Sequence, residues 1–177
     1  MKIICISGKA QHGKDTTARM MKDVINGTGK SVLITHYGDL VKYICKMFFD
    51  WNGEKDEYGR HLLQHVGTDI VRKKSPTFWV DFLTEVLTMF NMTWDYVLIP
   101  DCRFPNEIEC MKEAGFDVTH IHVKRTNFVS PLTPEQQAHP SETALDDAVP
   151  DIVVRNEGTL EDLEQSIQYL VKEIITQ

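Results

Sequence analysis

The sequence predicts a three-layer α/β fold: a five-stranded parallel sheet with helices on both faces and a lid-like segment. Three observations carry this. Short apolar runs alternate with stretches of helical period along most of the 177 residues. The first run ends in a glycine-rich loop that opens directly into a helix, "SGKAQHGKDTT", Ser7 to Thr17. One proline-bearing segment, residues 126–150, interrupts the alternation.

Taken in order, residues 2–7 hold Ile3, Ile4 and Ile6 and read as a buried strand ending at Gly8. Residues 14–26 follow at helical period, with Ala18, Met21, Val24 and Ile25 inward and Gly27 as a stop. "SVLITHYGD" gives a second strand, residues 31–36, and a turn. Three helical stretches come next, residues 39–49, 59–74 and 77–91. In the last of these, Phe78, Trp79 and Phe82 are able to stack on a base, but their helical spacing reads as core. "DYVLIPD" is a third strand, and Pro105 suits the first position of the helix that ends near Gly115. "DVTHIHVKR" alternates as a fourth strand; His120 and His122 share one face and read as paired or solvated. Residues 126–150 hold Pro131, Pro134, Pro140 and Pro150 with little apolar periodicity, the pattern of a lid or a disordered loop. "DIVVRN" is a fifth strand, and Leu160, Leu163, Ile167, Leu170, Val171 and Ile174 form a closing helix.

The length suits a single domain, residues 1–177, and 42% hydrophobic residues suit a globular core. A net charge of −7 argues against broad attraction to nucleic acid or to an anionic membrane. Any phosphate site must be a local island of positive charge. Cys5, Cys45, Cys102 and Cys110 include no C-x-x-C pair, and no secretory signal or membrane-spanning run is evident. The expectation is a reduced, cytoplasmic setting. His61 and His65 in "HLLQH" lack the glutamate of a zinc helix and read as surface.

Ligands of parallel sheets bind beyond the C-terminal ends of the strands. The glycine loop, "GD" after strand two, "DCRF" after strand three and Arg125 after strand four all fall there. The loop carries a G-x-x-x-x-G-K frame, Gly8 to Gly13 and Lys14, between a strand and a helix. Glycines let the backbone wrap phosphate, loop amides and the helix N-terminus face the anion, and Lys14 adds charge. The hydroxyl that usually follows the lysine, a magnesium ligand, is replaced by Asp15. Asp15 can bind metal through water or favour the positive end of the helix dipole; Thr16 can offer a hydroxyl to the α-phosphate.

"GKAQHGKDT", "GDLVK", "LLQHVGTDIVR", "DCRFPNE", "HPSE" and "NEGTLEDL" together resemble the phage-type deoxynucleoside monophosphate kinases, over residues 2–163. The resemblance implies a P-loop NTPase fold. It implies transfer of the ATP γ-phosphate to a deoxynucleoside monophosphate, with magnesium, for DNA precursor supply in the host cytoplasm if the source is a phage. By the same resemblance, Gly8, Lys9, Gly13, Lys14, Asp15 and Thr16 match the ATP-phosphate loop, and Asn156 and Gly158 match the turn near adenine. Asp39, Lys42, Gln64, Thr68 and Arg72 match acceptor positions in a helical region, residues 39–91. Asp101 and Arg103 match the signature after strand three, and His139, Ser141 and Glu142 match the lid. His12 stands where the family often has Ser before the second glycine.

Phosphoryl transfer needs converging cations more than covalent chemistry. Arg103 is the first candidate for the acceptor phosphate, because guanidinium grips phosphate bidentately. Its alternative is a salt bridge to Asp101 or Glu107. Arg72 is the second candidate, against a solvated place in "RKK". Asp101 sits where a carboxylate can hold a magnesium-bound water, or where it can cap a helix. Asp15, Thr16 and Asp101 are thus the candidate metal set. Asp39 either orients Lys42 and the attacking phosphate's surroundings or is the N-cap of its helix. Gln64 can hydrogen-bond a base edge or simply be exposed.

Residues 126–151 contain no Lys or Arg, so a closing lid acts by excluding water or touching the base. The cations must come from Lys9, Lys14, Arg19, Arg72, Arg103 and Arg125, with Arg103 and Arg125 each expected to matter at least about tenfold in turnover. Small-molecule nucleotides are the expected partners, and a homodimer suits so compact a domain. Two other readings stay open: a kinase of another phosphorylated acceptor such as phosphomevalonate, and a nucleotide-binding protein without catalysis, which Asp15 favours.

Overall fold

The computed structural model describes residues 1–126 and 128–176. Strands β1 (Lys2–Ser7), β2 (Val32–Ile34), β3 (Tyr96–Ile99), β4 (Asp117–Lys124) and β5 (Ile152–Arg155) form one parallel sheet in the order β2-β3-β1-β4-β5. β1 lies at the centre, between β3 and β4. The loops that leave β1 and β3 therefore emerge side by side at the sheet's C-terminal edge, which is where such sheets bind ligands.

The alternation of β1 splits the core into two layers. Ile4 and Ile6 face α1 (Lys14–Asn26) and α8 (Leu160–Thr176), where Met21, Ile25, Ile167 and Val171 are buried. Ile3 and Cys5 face the other side, against α4 (Phe78–Met89) and α5 (Pro105–Glu113), with Val80, Leu87, Ile108 and Met111. Each fully buried Ile contributes about 1.5–3 kcal/mol of transfer free energy. A third cluster joins Val41, Cys45, Trp51, Leu62, Val66 and Trp79. It ties α2 (Gly38–Phe48), α3 (Glu57–Gln64) and α4 into one wall beside the sheet edge.

Several expectations need correction. The helix expected at residues 59–74 begins at Glu57, capped by Asp56, whose carboxylate accepts from the Gly59 amide at 2.7 Å. Its second half, His65–Arg72, is π-helical, and the Gly67 carbonyl accepts from the Trp79 indole at 2.8 Å. Periodicity does not separate a π from an α stretch over eight residues. Phe78 and Phe82, expected in the core, are 42% and 49% exposed. The inward stripe of α4 is Trp79, Val80, Leu83 and Leu87 instead. Asp39 lies in the first turn of α2 and is not its N-cap. Residues 126–150 contain two short helices, α6 (Pro134–Ala138) and α7 (Pro140–Thr143), and Leu132 and Leu145 of this segment are buried. Leu145 packs into the second core layer, so one end of the segment is anchored.

Candidate active site

The phosphate loop runs from β1 into α1 under close constraint. A Cβ on Gly8 would stand 2.3 Å from the Val123 carbonyl, and one on Gly13 would stand 2.6 Å from Asn156 Nδ2. Both glycines have positive φ, 140° and 101°. Gln11 at the tip also has φ 61°, in a region costly for a side-chain-bearing residue. Lys14 is 6% exposed and folds back on the loop, Nζ donating to the carbonyls of Gly8 at 2.7 Å and Lys9 at 2.8 Å. Burial, and then the charge of Arg103, push the Lys14 ammonium down to about 7.

Glu142 crosses from the lid-like segment into this loop. One carboxylate oxygen accepts from the Ala10 amide at 3.1 Å, the other from Arg103 Nη1 at 2.6 Å. Arg103 also donates to the Ser141 carbonyl at 3.3 Å. Lys9 donates to the Glu142 carbonyl at 2.6 Å and pairs with Asp146. The partner of the Arg103 guanidinium is thus Glu142, and neither Asp101 nor Glu107 as the sequence suggested.

Asp101 follows β3 and clamps the start of α2. Its two oxygens accept from the amides of Tyr37 at 3.0 Å and Gly38 at 2.8 Å. A carboxylate at a helix N-terminus is favoured by the helix dipole. Asp15 accepts from His36 Nε2 at 3.1 Å; His36 Nδ1 lies 3.3 Å from Asp39, which pairs with Lys42 at 2.7 Å. The Asp15 contact raises the His36 pKa above the ordinary histidine value, against partial burial.

Glu107, 1% exposed, organises the other wall. Its carboxylate accepts from the amides of Arg103 at 2.6 Å and Phe104 at 3.1 Å, and pairs with Arg72. Burial pushes the Glu107 carboxyl up to about 7, with Arg72 pulling the other way. Arg72 stacks on Phe104 at 3.9 Å and donates to the Pro76 carbonyl and Asn106, each at 3.0 Å. It is therefore no solvated member of the "RKK" run.

These groups surround one cleft of about 420 Å³. Lys14, Asp15 and Glu142 line the phosphate-loop end; Asp101, Arg103 and Arg72 line the middle. Gln64, Thr68 and Trp79, with Val41 and Leu63, line the side toward α2 and α3. An apolar side facing a strongly charged one suits a small molecule with both an apolar and an anionic part.

Other expected residues fall elsewhere. Thr16 is half-buried and does not line the cleft, nor does exposed Arg19. The Arg125 guanidinium lies over the Phe128 ring at 4.9 Å, outside the cleft. Asn156 supports the loop from outside, donating to the His12 carbonyl at 3.0 Å, and Gly158 lies against Asp162. His139 bonds Ser141 at 2.9 Å and lies 3.5 Å from Asp69, in a neighbouring depression that Gln64 shares. His120 and His122 both bond Ser7, at 2.7 Å and 3.0 Å. The cleft also brings in His36, Lys55, Arg60 and Glu107, which sequence reasoning did not select. His36 follows a strand end and Glu107 stands inside "DCRFPNE", so both carried a signal. Lys55 lies in the loop before α3 and Arg60 in its first turns, and neither carried a signal.

A family model described as deoxynucleotide monophosphate kinase matches residues 37–167. The chain belongs to this family. A deoxynucleotide monophosphate kinase of Enterobacteria phage T4 is 32% identical over 124 residues, covering 68% of this chain and 48% of the phage protein. A protein of Acanthamoeba polyphaga mimivirus, provisionally named for the same activity, is 28% identical over 195 residues, covering 94% of each chain. The chain spans about half the length of the two phage relatives it matches, from T4 and Escherichia phage RB69. Among solved structures, a sugar kinase from Janibacter has a TM-score of 0.60 at 14% identity, covering 96% of this chain and 94% of that one. The APS kinase of Mycobacterium tuberculosis in complex with AMPPNP and APS has a TM-score of 0.52 at 12% identity, covering 97% of each. At such identities these likenesses establish the fold, a P-loop NTPase α/β sheet. No helix among the described residues of this family member is long and apolar enough to cross a membrane.

Proposed function

We propose that the chain is a kinase that transfers the ATP γ-phosphate to a deoxynucleoside monophosphate, yielding the diphosphate for DNA precursor supply. The observation that carries this is the continuity of one cleft. It runs from the phosphate loop at Lys14, past Arg103, to a slot between α2 and the α3–π stretch. A donor on the loop and an acceptor in that slot meet at Arg103.

The acceptor phosphate is already anionic, so no carboxylate base is required. The work is positioning and charge neutralisation. Lys14 leaves the loop carbonyls for the β and γ phosphates. Arg103 leaves Glu142 for the transferring group, while Glu107 keeps its backbone and Arg72 in place. Gln64 offers an amide to the base edge, and Trp79 and Val41 form the apolar side of the slot. Residues 126–150 act as the lid. They supply no cation, so closure excludes water.

Magnesium fits this cleft. Asp15 and Asp101 are hard oxygen donors that line it together with Lys14, and such ions use one or two carboxylates plus substrate phosphates. Bound there, the ion would supply positive charge against the anionic phosphates. Asp15 and Asp101 would hold it through water, since each already has a protein partner in His36 and the α2 amides. A panel of the four deoxynucleoside monophosphates with ATP and magnesium, read by ADP release, tests the reading. Acceptor-dependent ADP release with at least one of them is expected; none with any of them sinks it.

A further inference from the structure

The cations of the cleft divide into two groups. Arg72 is held by Glu107, Arg103 by Glu142 and Lys42 by Asp39. Lys14 is spent on two carbonyls. Lys55 and Arg60 line the same cleft, yet neither side chain has a hydrogen bond or an ion pair among the described residues. Cations that line a cavity without a carboxylate are poised for an anion from outside.

Their placement is built, not accidental. Trp51 is 5% exposed, and its indole donates to the Glu54 carbonyl at 2.9 Å, fixing the backbone just before Lys55. Asp56 then caps α3. Gly59 lets the helix close against this loop: a Cβ there would stand 2.0 Å from the Glu54 carbonyl and 2.7 Å from the Trp51 indole nitrogen. The result presents Lys55 and Arg60 on one rim, beside Lys42. Partial desolvation, and then repulsion from Lys42, hold the Lys55 ammonium below the ordinary lysine value, while Asp15 acts the other way. Like charges gathered so closely are relieved by a shared anion.

The neighbouring groups say which anion. Arg60 and Gln64 stand one turn apart on α3, so they share a helix face. Gln64, Thr68 and Trp79 border the apolar slot. Asp15, at the phosphate-loop end of the cleft, acts on Lys55, so this rim faces the loop and a phosphate held here lies within reach of it. We propose that Lys55 and Arg60 bind the phosphate of the acceptor monophosphate, and so make the site select a nucleotide over its nucleoside. This rests on the kinase reading above.

The test compares wild type with Lys55→Ala, Arg60→Ala and Arg60→Lys. Steady-state kinetics with each deoxynucleoside monophosphate are paired with equilibrium binding of the same nucleoside with and without its phosphate. Each alanine variant should raise the acceptor KM at least tenfold and leave the ATP KM within twofold. The preference for monophosphate over nucleoside should fall by the same factor, with nucleoside binding unchanged, and Arg60→Lys should recover most of the loss. An unchanged acceptor KM overturns the inference, as does a raised ATP KM alone. Equal weakening of nucleoside and monophosphate also overturns it, because that marks a merely structural role. Wild type that turns over no monophosphate refutes the kinase reading itself. Wild-type turnover with indifferent variants refutes only the phosphate assignment.

Discussion

The two ends of the cleft differ in how far their charges are satisfied. At the phosphate loop, Lys9, Lys14 and Arg103 all have protein partners, and two of those partners are carboxylates of the lid-like segment. At the α2–α3 end, Lys55 and Arg60 have none among the described residues. A site with internal partners must break contacts to receive its ligand. A site without them is ready, and its cations already repel one another. On the proposed reading, the donor end is a place of exchange and the acceptor end a place of capture.

The strongest way to break this comparison is at the boundary. Arg103→Ala should lower turnover at least about tenfold, since a guanidinium on the transferring group is worth that and more. Near-normal turnover would show that the donor and acceptor ends do not meet at this residue. Next comes the titration of Lys14. In the free chain it loses its proton at about 7, whereas beside ATP phosphates it must be charged. ATP binding should therefore take up a proton, and affinity should fall as pH rises above 7, by up to about tenfold per unit. Calorimetry in buffers of different ionisation enthalpy measures this directly; no proton uptake at pH 8 would refute it. In the nucleotide-free chain the same depression has the opposite sense: the unfolded state binds the extra proton, so stability on this account rises with pH across that window.

A smaller effect sharpens the role of Asp15. Asp15→Asn should lower the His36 pKa, because the contact with Asp15 is what raises it. Imidazole NMR titration reads the shift, and an unmoved His36 would detach Asp15 from this chain of contacts. The smallest effect belongs to Arg125. Its guanidinium lies on Phe128 outside the cleft, so Arg125→Ala should keep turnover within about twofold, where the sequence led us to expect a loss of about tenfold.

The same contrast explains what was legible in the sequence. The phosphate loop is local: a strand, two glycines and a lysine lie within a dozen residues, and their geometry follows from spacing. All five strands were also visible, because buried parallel strands are short apolar runs bounded by turns. The acceptor wall is different. Lys55 owes its position to Trp51, Glu54 and Gly59, and that wall is closed by Trp79 bonding Gly67. None of this has a period. The π stretch mimics an α-helix in its apolar spacing, and α4 has two nearly adjacent stripes of which packing selects one. The partners of Arg72 and Arg103 were hidden for a related reason. Glu107 and Glu142 are ordinary surface residues by type, and only the fold shows one buried and the other folded into the loop.

Glu142 has a consequence for what the empty phosphate loop ignores. A carboxylate tethered by its own chain stands at high effective concentration over the Ala10 amide and Arg103. On effective concentration alone, a stray sulfate or a single inorganic phosphate in dilute solution should lose the competition for those two contacts. On the proposed reading a triphosphate would win, because it gains the other loop amides and Lys14 at the same moment. On the proposed kinase reading, the lid-like segment would then filter on valency, holding the loop against simple anions and yielding to a ligand that makes several contacts at once.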